Sequence, residues 1–579
     1  MNKLKNFITE HPEISSVILL SVLCYLFLFF GLNFYNLIDV DETRYAVIAR
    51  DMLSAGDWNI LNLNSHPFLE KPPLYFWFVA TSIKIFKTFT PFVVRLPIAL
   101  LSSFLIFFTY FLGKKVLSRK FGLVSSTILL TSSFFLLLSH IAILDMLLNV
   151  FMASSLYCGY LALIRDDKFK KYLWWGFWLF AGLGFLAKGI LAVAIPLVVI
   201  FTYCLITKKL KELFNPINCI IGLIIFLLII IPWHLVMYNN FGMNFINEYF
   251  VKHHFARLLN SHDIGRKHGF FYFFGIFGFA FLPWILIFIG ALCNGFKFVF
   301  NKFSNAQGTF FKKLQSIFNP ENDEERFVLF FSIFFVVVFG VMSVSSTKLP
   351  TYILPALPAA SILTGYFWCN VNNNLRNKTI IYSTNILAVL FAIIAILAVF
   401  AYKIFPSTIA SYIYAIKYNA CICCLFLSIL LVYETKKFDL KMIFTGYILS
   451  MLFVIMLAVT TIFNIIYNCG EHELVYYSDF VQTYPSRLVT FDFPVKPSVK
   501  INHPDYVYFI TDRNFVELEN HISIKFMPVY VIVKNKEVKN GNYKDTLEKN
   551  LYLLHEGTKY SLYVNKKIDD KQKVIQVIQ

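Results

Sequence analysis

Long apolar runs, each about 20 residues and separated by short polar loops, fill the chain up to about residue 468. A run of that length crosses the hydrocarbon layer as an α-helix. Inside a bilayer only helices and closed barrels satisfy their own backbone hydrogen bonds. Continuous apolarity, without the alternation of barrel strands, selects helices. The pattern predicts thirteen spans, near 15–35, 91–112, 122–140, 147–164, 173–187, 190–206, 217–238, 272–292, 327–344, 353–370, 379–402, 417–433 and 442–467. Two amphipathic pieces, Tyr45 to Leu53 and Leu74 to Phe86, are expected to lie along the membrane interface.

Beyond Cys469 the period changes. Residues 488–491, 506–510, 529–533 and 561–564 alternate as strands do, and Asn514 to Glu519 is suited to begin a helix. The expected organisation is a membrane domain, 1–468, with polar outer stretches at 36–90, near Asp145 and at 239–271, followed by an α/β domain, 469–579.

Composition agrees with this reading. Of 579 residues 58% are hydrophobic and only 15% charged, with mean hydropathy +0.64, against roughly a quarter charged in soluble domains. The net charge of +18 sits in short loops: Lys114, Lys115, Arg119 and Lys120; Arg165, Lys168, Lys170 and Lys171; Lys208, Lys209 and Lys211; Lys436, Lys437 and Lys441. Such clusters are inner-face anchors that set orientation, and the reading excludes a nucleic-acid partner. The basic start, Lys3 and Lys5, places the amino terminus inside, and the first apolar run reads as an uncleaved anchor. Thirteen crossings then leave the carboxyl-terminal domain outside and put every basic cluster, with Lys312 and Lys313, inside. Nine of the ten cysteines lie in apolar or membrane-adjacent runs and Cys469 stands apart. They show no metal spacing and read as small hydrophobes.

Charges near spans are costly, which makes them informative. Asp145 lies at the outer end of two consecutive spans and serves either as a helix N-cap or as a functional carboxylate. Asp39-Val40-Asp41-Glu42-Thr43-Arg44-Tyr45 follows the first span; Asp41 or Thr43 suits a cap, yet three carboxylates and an arginine exceed what a cap needs. In Phe68-Leu69-Glu70-Lys71-Pro72-Pro73-Leu74-Tyr75 the prolines hold a Glu-Lys pair at a helix entry, where a solvated surface pair is the plain alternative. Lys188 and Lys348 are outer-side cations that the orientation rule does not require, although lysines there also snorkel. Loop 239–271 adds His253, His254, Arg257, Arg266, Lys267 and His268. Lysine and arginine groups of this kind suit phosphate recognition.

Taken together, Asp41-Glu42-Thr43-Arg44-Tyr45-Ala46, Phe68-Leu69-Glu70-Lys71-Pro72-Pro73, Leu186-Ala187-Lys188-Gly189 and Lys348-Leu349-Pro350-Thr351-Tyr352-Ile353-Leu354-Pro355 resemble the motifs of the bacterial aminoarabinose–lipid A transferases, in the protein-mannosyltransferase-like superfamily with the GT-C fold. The resemblance implies an inverting glycosyltransferase of the bacterial inner membrane, acting on its periplasmic face as a monomer. It would move an amino sugar, 4-amino-4-deoxy-L-arabinose or a hexosamine such as galactosamine, from undecaprenyl phosphate to a lipid A phosphate. It further implies Asp41 and Asp145 as the acting carboxylates and Lys71, Arg257 and Lys348 as ligands of the donor phosphate. Glu42, Arg44, Tyr45, Lys188 and Tyr352 would line the cavity. Glu70 with His253, or His254 instead, would hold a divalent metal such as zinc in a structural or incidental capacity. A second reading keeps the fold and makes the acceptor a protein Ser/Thr or another envelope glycan. A third, a membrane transporter, is disfavoured because no inverted repeat is found and the charges sit at span ends.

Overall fold

The computed structural model describes residues 10–38, 41–63, 66–213, 215–256, 268–307, 309–310, 319–371, 376–403, 407–463, 474, 477, 481, 487–491, 507–510, 518, 523, 528–536, 547–549, 551–557 and 559–565. These divide into two compact units. The first comprises Met1–Leu32, Asp57–Leu61 and Phe68–Thr461; the second comprises Asn33–Gly56, Asn62–Pro67 and Ile462–Gln579. The second unit therefore collects, besides the carboxyl-terminal segment, most of a stretch that the sequence pattern assigns to the membrane domain.

The helices in chain order are α1 (Pro12–Cys24, continued by a π-helical turn to Phe29), α2 (Asp41–Ala55), α3 (Leu74–Phe86), α4 (Pro91–Val116), α5 (Arg119–Leu130), α6 (Ser133–Leu138), α7 (Leu144–Ile164), α8 (Lys170–Lys188), α9 (Leu191–Ile206), α10 (Leu210–Leu213), α11 (Pro216–Phe245), α12 (Tyr272–Ala280), α13 (Ile285–Asn305), α14 (Asp323–Val344), α15 (Leu357–Cys369), α16 (Lys378–Phe400), α17 (Ser407–Lys437) and α18 (Leu440–Leu457). All but α2 belong to the first unit. Local sequence explains their starts. Thr90, Ser118, Asn215, Asn322, Asn377 and Asp439 each accept a backbone N–H in the first turn of the helix that follows. Pro91 and Pro216 occupy first positions, where a missing N–H costs nothing.

Ten helices among the described residues are long and apolar enough to cross a membrane. Of the other three expected spans, one is broken and two are continuous helices at the expected positions. The run expected at 122–140 is broken into α5 and α6 at Thr131 and Ser132, whose hydroxyls donate to the carbonyls of Thr127 (2.6 Å) and Leu129 (2.8 Å). The runs at 173–187 and 190–206 are α8 and the 16-residue α9. The expected span 272–292 is also two helices, α12 and α13, separated at Pro283. Both pieces expected at the interface, 45–53 and 74–86, are helical, within α2 and α3.

Burial grades the first unit from centre to rim. In α7, 94% of the span is buried, against 11% for the span that α11 contains, so α7 is its core and α11 faces outward. Polar contacts tie helices together where side chains lack water. The fully buried Arg95 of α4 donates to the carbonyl of Leu32 at 2.7 Å, and Trp284 donates to Thr131 at 3.0 Å. Close packing also depends on small residues. A Cβ on Gly122 of α5 would lie 2.4 Å from the Tyr110 carbonyl oxygen of α4. Gly122→Val must therefore push α4 and α5 apart, at a cost of about 1–3 kcal/mol. The expected result is a melting temperature several degrees lower in detergent; an unchanged transition would count against this helix contact.

In the second unit a five-stranded sheet has the order β4-β3-β5-β7-β6, with β3 (Arg487–Phe491), β4 (Val507–Ile510), β5 (Val529–Lys534), β6 (Tyr552–Glu556) and β7 (Tyr560–Val564). A two-stranded pair, β1 (Asn62–Leu63) and β2 (His66–Pro67), precedes it in the chain. β3 runs parallel to β4 and β5, whereas β7 is antiparallel to β5 and β6. Alternate residues of the same strands serve opposite faces. Leu488, Tyr530, Ile532 and Leu562 pack with Leu474, Tyr477 and Val481, while Val489, Val531, Val533 and Tyr563 pack with Leu518, Leu547 and Leu551. A sheet with parallel strands needs both faces covered, and this one has them covered. The four expected strands are all present; β6 is an addition. Of the helix expected at 514–519 only Leu518 is described, in helical conformation.

Candidate functional site

α7 and α8 are joined by the five residues 165–169, a turn that makes the two helices antiparallel neighbours. The start of α7 and the end of α8 consequently meet at one end of the first unit. Asp145 sits in the first turn of α7, and Lys188 is the last residue of α8. Each charge suits the sign of its helix end. Gly189 (φ 93°) stops α8 in a backbone conformation that a side chain resists, leaving Lys188 at the rim. The two side chains form an ion pair, and each is only 16% exposed. The Lys188 ammonium also lies 4.6 Å from the centre of the Tyr352 ring, a cation–π contact. Asp145 is not the N-cap of α7. That position is Ile143, and the aspartate's Oδ1 is bonded to Lys188.

These groups line a cavity of about 90 Å³ together with Glu70 and Lys71. That space holds a phosphate group rather than a whole lipid. Pro72 and Pro73 close the bend that leads into α3, with Pro73 as its N-cap, and so restrict the backbone beside the Glu70-Lys71 pair at the wall. Tyr352 is held by the 3₁₀ turn Pro350–Ala356, whose first residue is a proline. The rest of the wall includes Leu148, Ile190, Met342, Ser345 and Thr347. The cavity thus brings two cations and two carboxylates together on an otherwise largely apolar lining.

Lys348 behaves differently from the expectation. It is 4% exposed and lies outside the cavity wall; its ammonium donates to the carbonyls of Ser345 (2.5 Å) and His268 (3.2 Å). It straps the loop before Tyr352 instead of facing the cavity. Asp41, Glu42, Arg44 and Tyr45 belong to α2, in the second unit. There Asp41 is ion-paired with Arg44, Arg44 lies 5.3 Å from the Tyr45 ring, and the buried Glu42 accepts the N–H of Ile38 at 2.8 Å. Arg257 lies outside the described residues, as do the side chains of His253 and His254. Among the described residues no three His, Cys, Asp or Glu side chains converge in a way that holds a metal ion.

Apolar wall residues such as Met342 and Leu148 escaped the sequence reading, since a hydrophobic residue facing a cavity looks the same as one facing lipid. Ser345 and Thr347 carried a fainter signal, as hydroxyls beside Lys348.

Residues 70–235, which contain Glu70, Lys71, Asp145 and Lys188, match the family of dolichyl-phosphate-mannose-protein mannosyltransferases. The chain is 29% identical over 347 residues to an undecaprenyl phosphate-alpha-4-amino-4-deoxy-L-arabinose arabinosyl transferase of Yersinia enterocolitica. That match covers 59% of this chain and 57% of the relative, so the likeness spans little more than half of either protein. The corresponding protein of Yersinia pestis is 28% identical over 349 residues, with the same coverage. Among solved structures, ArnT from Cupriavidus metallidurans bound to undecaprenyl phosphate matches with a TM-score of 0.75 at 17% identity, covering 96% of this chain and 99% of that one. Its apo form matches with a TM-score of 0.70 at 18% identity, covering 95% and 98%. The chain therefore has the fold of these transferases, a polytopic helical membrane protein of the GT-C type with an α/β region at its end.

Proposed function

We propose that this protein is an inverting glycosyltransferase that takes a sugar from undecaprenyl phosphate on the periplasmic face of the inner membrane. The observation that carries the proposal is the cavity at the shared end of α7 and α8, where Lys71 and Lys188 stand beside Asp145 and Glu70. In a site walled largely by apolar residues, ammonium groups act on a lipid phosphate with little screening, while Asp145 and Glu70 temper that attraction.

The chemistry follows from where charge develops. As the bond from the sugar carbon to the phosphate oxygen breaks, negative charge grows on the leaving phosphate, and Lys71 and Lys188 stabilise it. Asp145 and the Tyr352 ring hold the Lys188 ammonium in position. The sugar carbon becomes oxocarbenium-like, a state that carboxylate charge favours. The acceptor attacks the opposite face, giving inversion with no covalent enzyme intermediate. Glu70 suits the ammonium of an amino sugar, aminoarabinose or a hexosamine. With a lipid A phosphate as acceptor no general base is required, since the second pKa of a phosphate is about 6. Lys71 binds the donor directly, so Lys71→Ala should raise the donor KM about ten- to a hundredfold, the value of a charge-assisted hydrogen bond. Steady-state kinetics with a purified undecaprenyl-phosphate sugar measure this, and an unchanged KM would remove Lys71 from the phosphate site.

A second reading, transfer to a protein hydroxyl, is favoured by the mannosyltransferase family match over 70–235. That acceptor would need a general base, for which Asp41 is the candidate. Mass spectrometry separates the two. Lipid A from a strain lacking the protein should lose one sugar mass, and the mass lost names the sugar; unchanged lipid A would rule out the first reading.

A further inference from the structure

The segment joining α14 to α15 carries a lysine that the transfer chemistry does not use directly. α14 is capped by Ser345, and the 3₁₀ turn Pro350–Ala356 leads into α15. Lys348 lies between the two and is 4% exposed. Its ammonium donates to the Ser345 carbonyl at 2.5 Å, in its own segment, and to the His268 carbonyl at 3.2 Å, 80 positions earlier in the chain. Both acceptors are backbone oxygens, and no carboxylate among the described residues pairs with this ammonium.

Each end of that tether leads to a part of the site or to a neighbouring outer segment. His268 closes the outer stretch expected at 239–271, and its ring stacks on Tyr272, the first residue of α12, with centres 4.1 Å apart. On the other side Ser345 and Thr347 line the cavity, and the Ser345 hydroxyl donates to the Thr347 carbonyl at 3.2 Å. The Tyr352 N–H is bonded to the Leu349 carbonyl at 3.1 Å, directly after Lys348. Pro350 and Pro355 restrict the turn, so a shift at its start is passed on to Tyr352 rather than absorbed. Ile353 and Leu354 are fully buried and hold its far side by packing. The Tyr352 ring faces the Lys188 ammonium at 4.6 Å. A continuous series of contacts therefore runs from His268 through the Lys348 ammonium and the turn to Lys188.

We infer that Lys348 is a positioning residue for sugar transfer. It ties the chain at His268 to the cavity wall and thereby sets the Tyr352 ring against Lys188. The inference rests on the proposed reaction and on Lys188 acting in it. Direct binding of the donor phosphate does not fit Lys348, which lies outside the wall with its ammonium committed to two carbonyls.

Steady-state transfer from undecaprenyl-phosphate 4-amino-4-deoxy-L-arabinose to lipid A by the purified full chain tests it. Lys348→Met keeps the length of the side chain and loses the donors. It should lower turnover about ten- to a hundredfold, the scale of a misplacement of about 1 Å, and leave the donor KM within about threefold. A donor KM raised about tenfold with turnover unchanged would make Lys348 a phosphate ligand and overturn the inference. Tyr352→Leu should lose turnover to a similar degree, and it gives the answer even if Lys348→Met does not fold. The double variant should fall no more than about threefold below the slower single variant, because both changes break the same series of contacts; losses that multiply would overturn the inference. Lys188→Met separates this from the reaction itself. Normal turnover in Lys188→Met, or none in the wild-type protein, removes the proposed transfer. Impaired Lys188→Met beside normal Lys348→Met or normal Tyr352→Leu removes the positioning role alone.

Discussion

Asp145→Asn should lower the turnover of sugar transfer by about a hundred- to a thousandfold, the scale lost when one preorganised electrostatic group is removed from a transition state. The aspartate fixes the Lys188 ammonium over the Tyr352 ring from a position that is 16% exposed. Asparagine keeps the shape and removes the charge, leaving Lys188 uncompensated among apolar neighbours. Taking one partner from a buried pair costs about 3–5 kcal/mol, and slightly less at a rim such as this. The two consequences separate in a double-mutant cycle. Adding Lys188→Met to Asp145→Asn should restore much of the melting temperature, because no lone charge remains, without restoring turnover. The donor KM should fall or stay level in the single variant, since an unpaired lysine meets the phosphate with less competition. Turnover within threefold of wild type would exclude Asp145 from the mechanism.

At Asp41 the expected loss is as large and its cause is different. The resemblance to the aminoarabinose transferases makes Asp41 a proposed acting carboxylate. In the structure it is the first residue of α2, with its side chain 56% exposed and ion-paired to Arg44 one turn on. An exposed pair of that kind contributes less than about 1 kcal/mol, so Asp41→Asn should fold normally. If the carboxylate acts on the substrate, transfer should drop by about a thousandfold or more. A melting curve and an activity assay on the same preparation are sufficient. Normal folding with activity within twofold of wild type would remove Asp41 from the acting residues.

Much of the fold was legible because bilayer physics acts on composition. Each expected span corresponds to a helix or a broken pair of helices. The errors fall where a local polar group or proline interrupts an apolar run, at Thr131-Ser132 and at Pro283, since hydropathy averaged over a span does not register a single residue. β6 was missed because Tyr552-Leu553-Leu554-His555-Glu556 has no clean alternation, and its pairing with β7 shifts register between Leu553 and His555.

Of the charged residues singled out in the sequence, Glu70, Lys71, Asp145 and Lys188 line one cavity, whereas Lys348 lies outside its wall, Asp41, Glu42 and Arg44 belong to the second unit, and Arg257 lies outside the described residues. The partnership of Asp145 with Lys188 was not readable, because it depends on which helices neighbour each other across 43 positions of sequence. Lys348 misled for the opposite reason. A lysine beside a membrane suggests a ligand, yet backbone carbonyls are equally good partners, and the sequence does not distinguish them.

The cavity wall has one more implication, for the end of the cycle. Among the described residues the pocket's positive and negative side chains are equal in number, so in the proposed reaction it is balanced before a lipid arrives and again after the spent carrier departs. No stray ion has to be recruited to fill the gap. A purely cationic pocket would clutch its product; in the proposed reaction this one should release the spent carrier phosphate more readily.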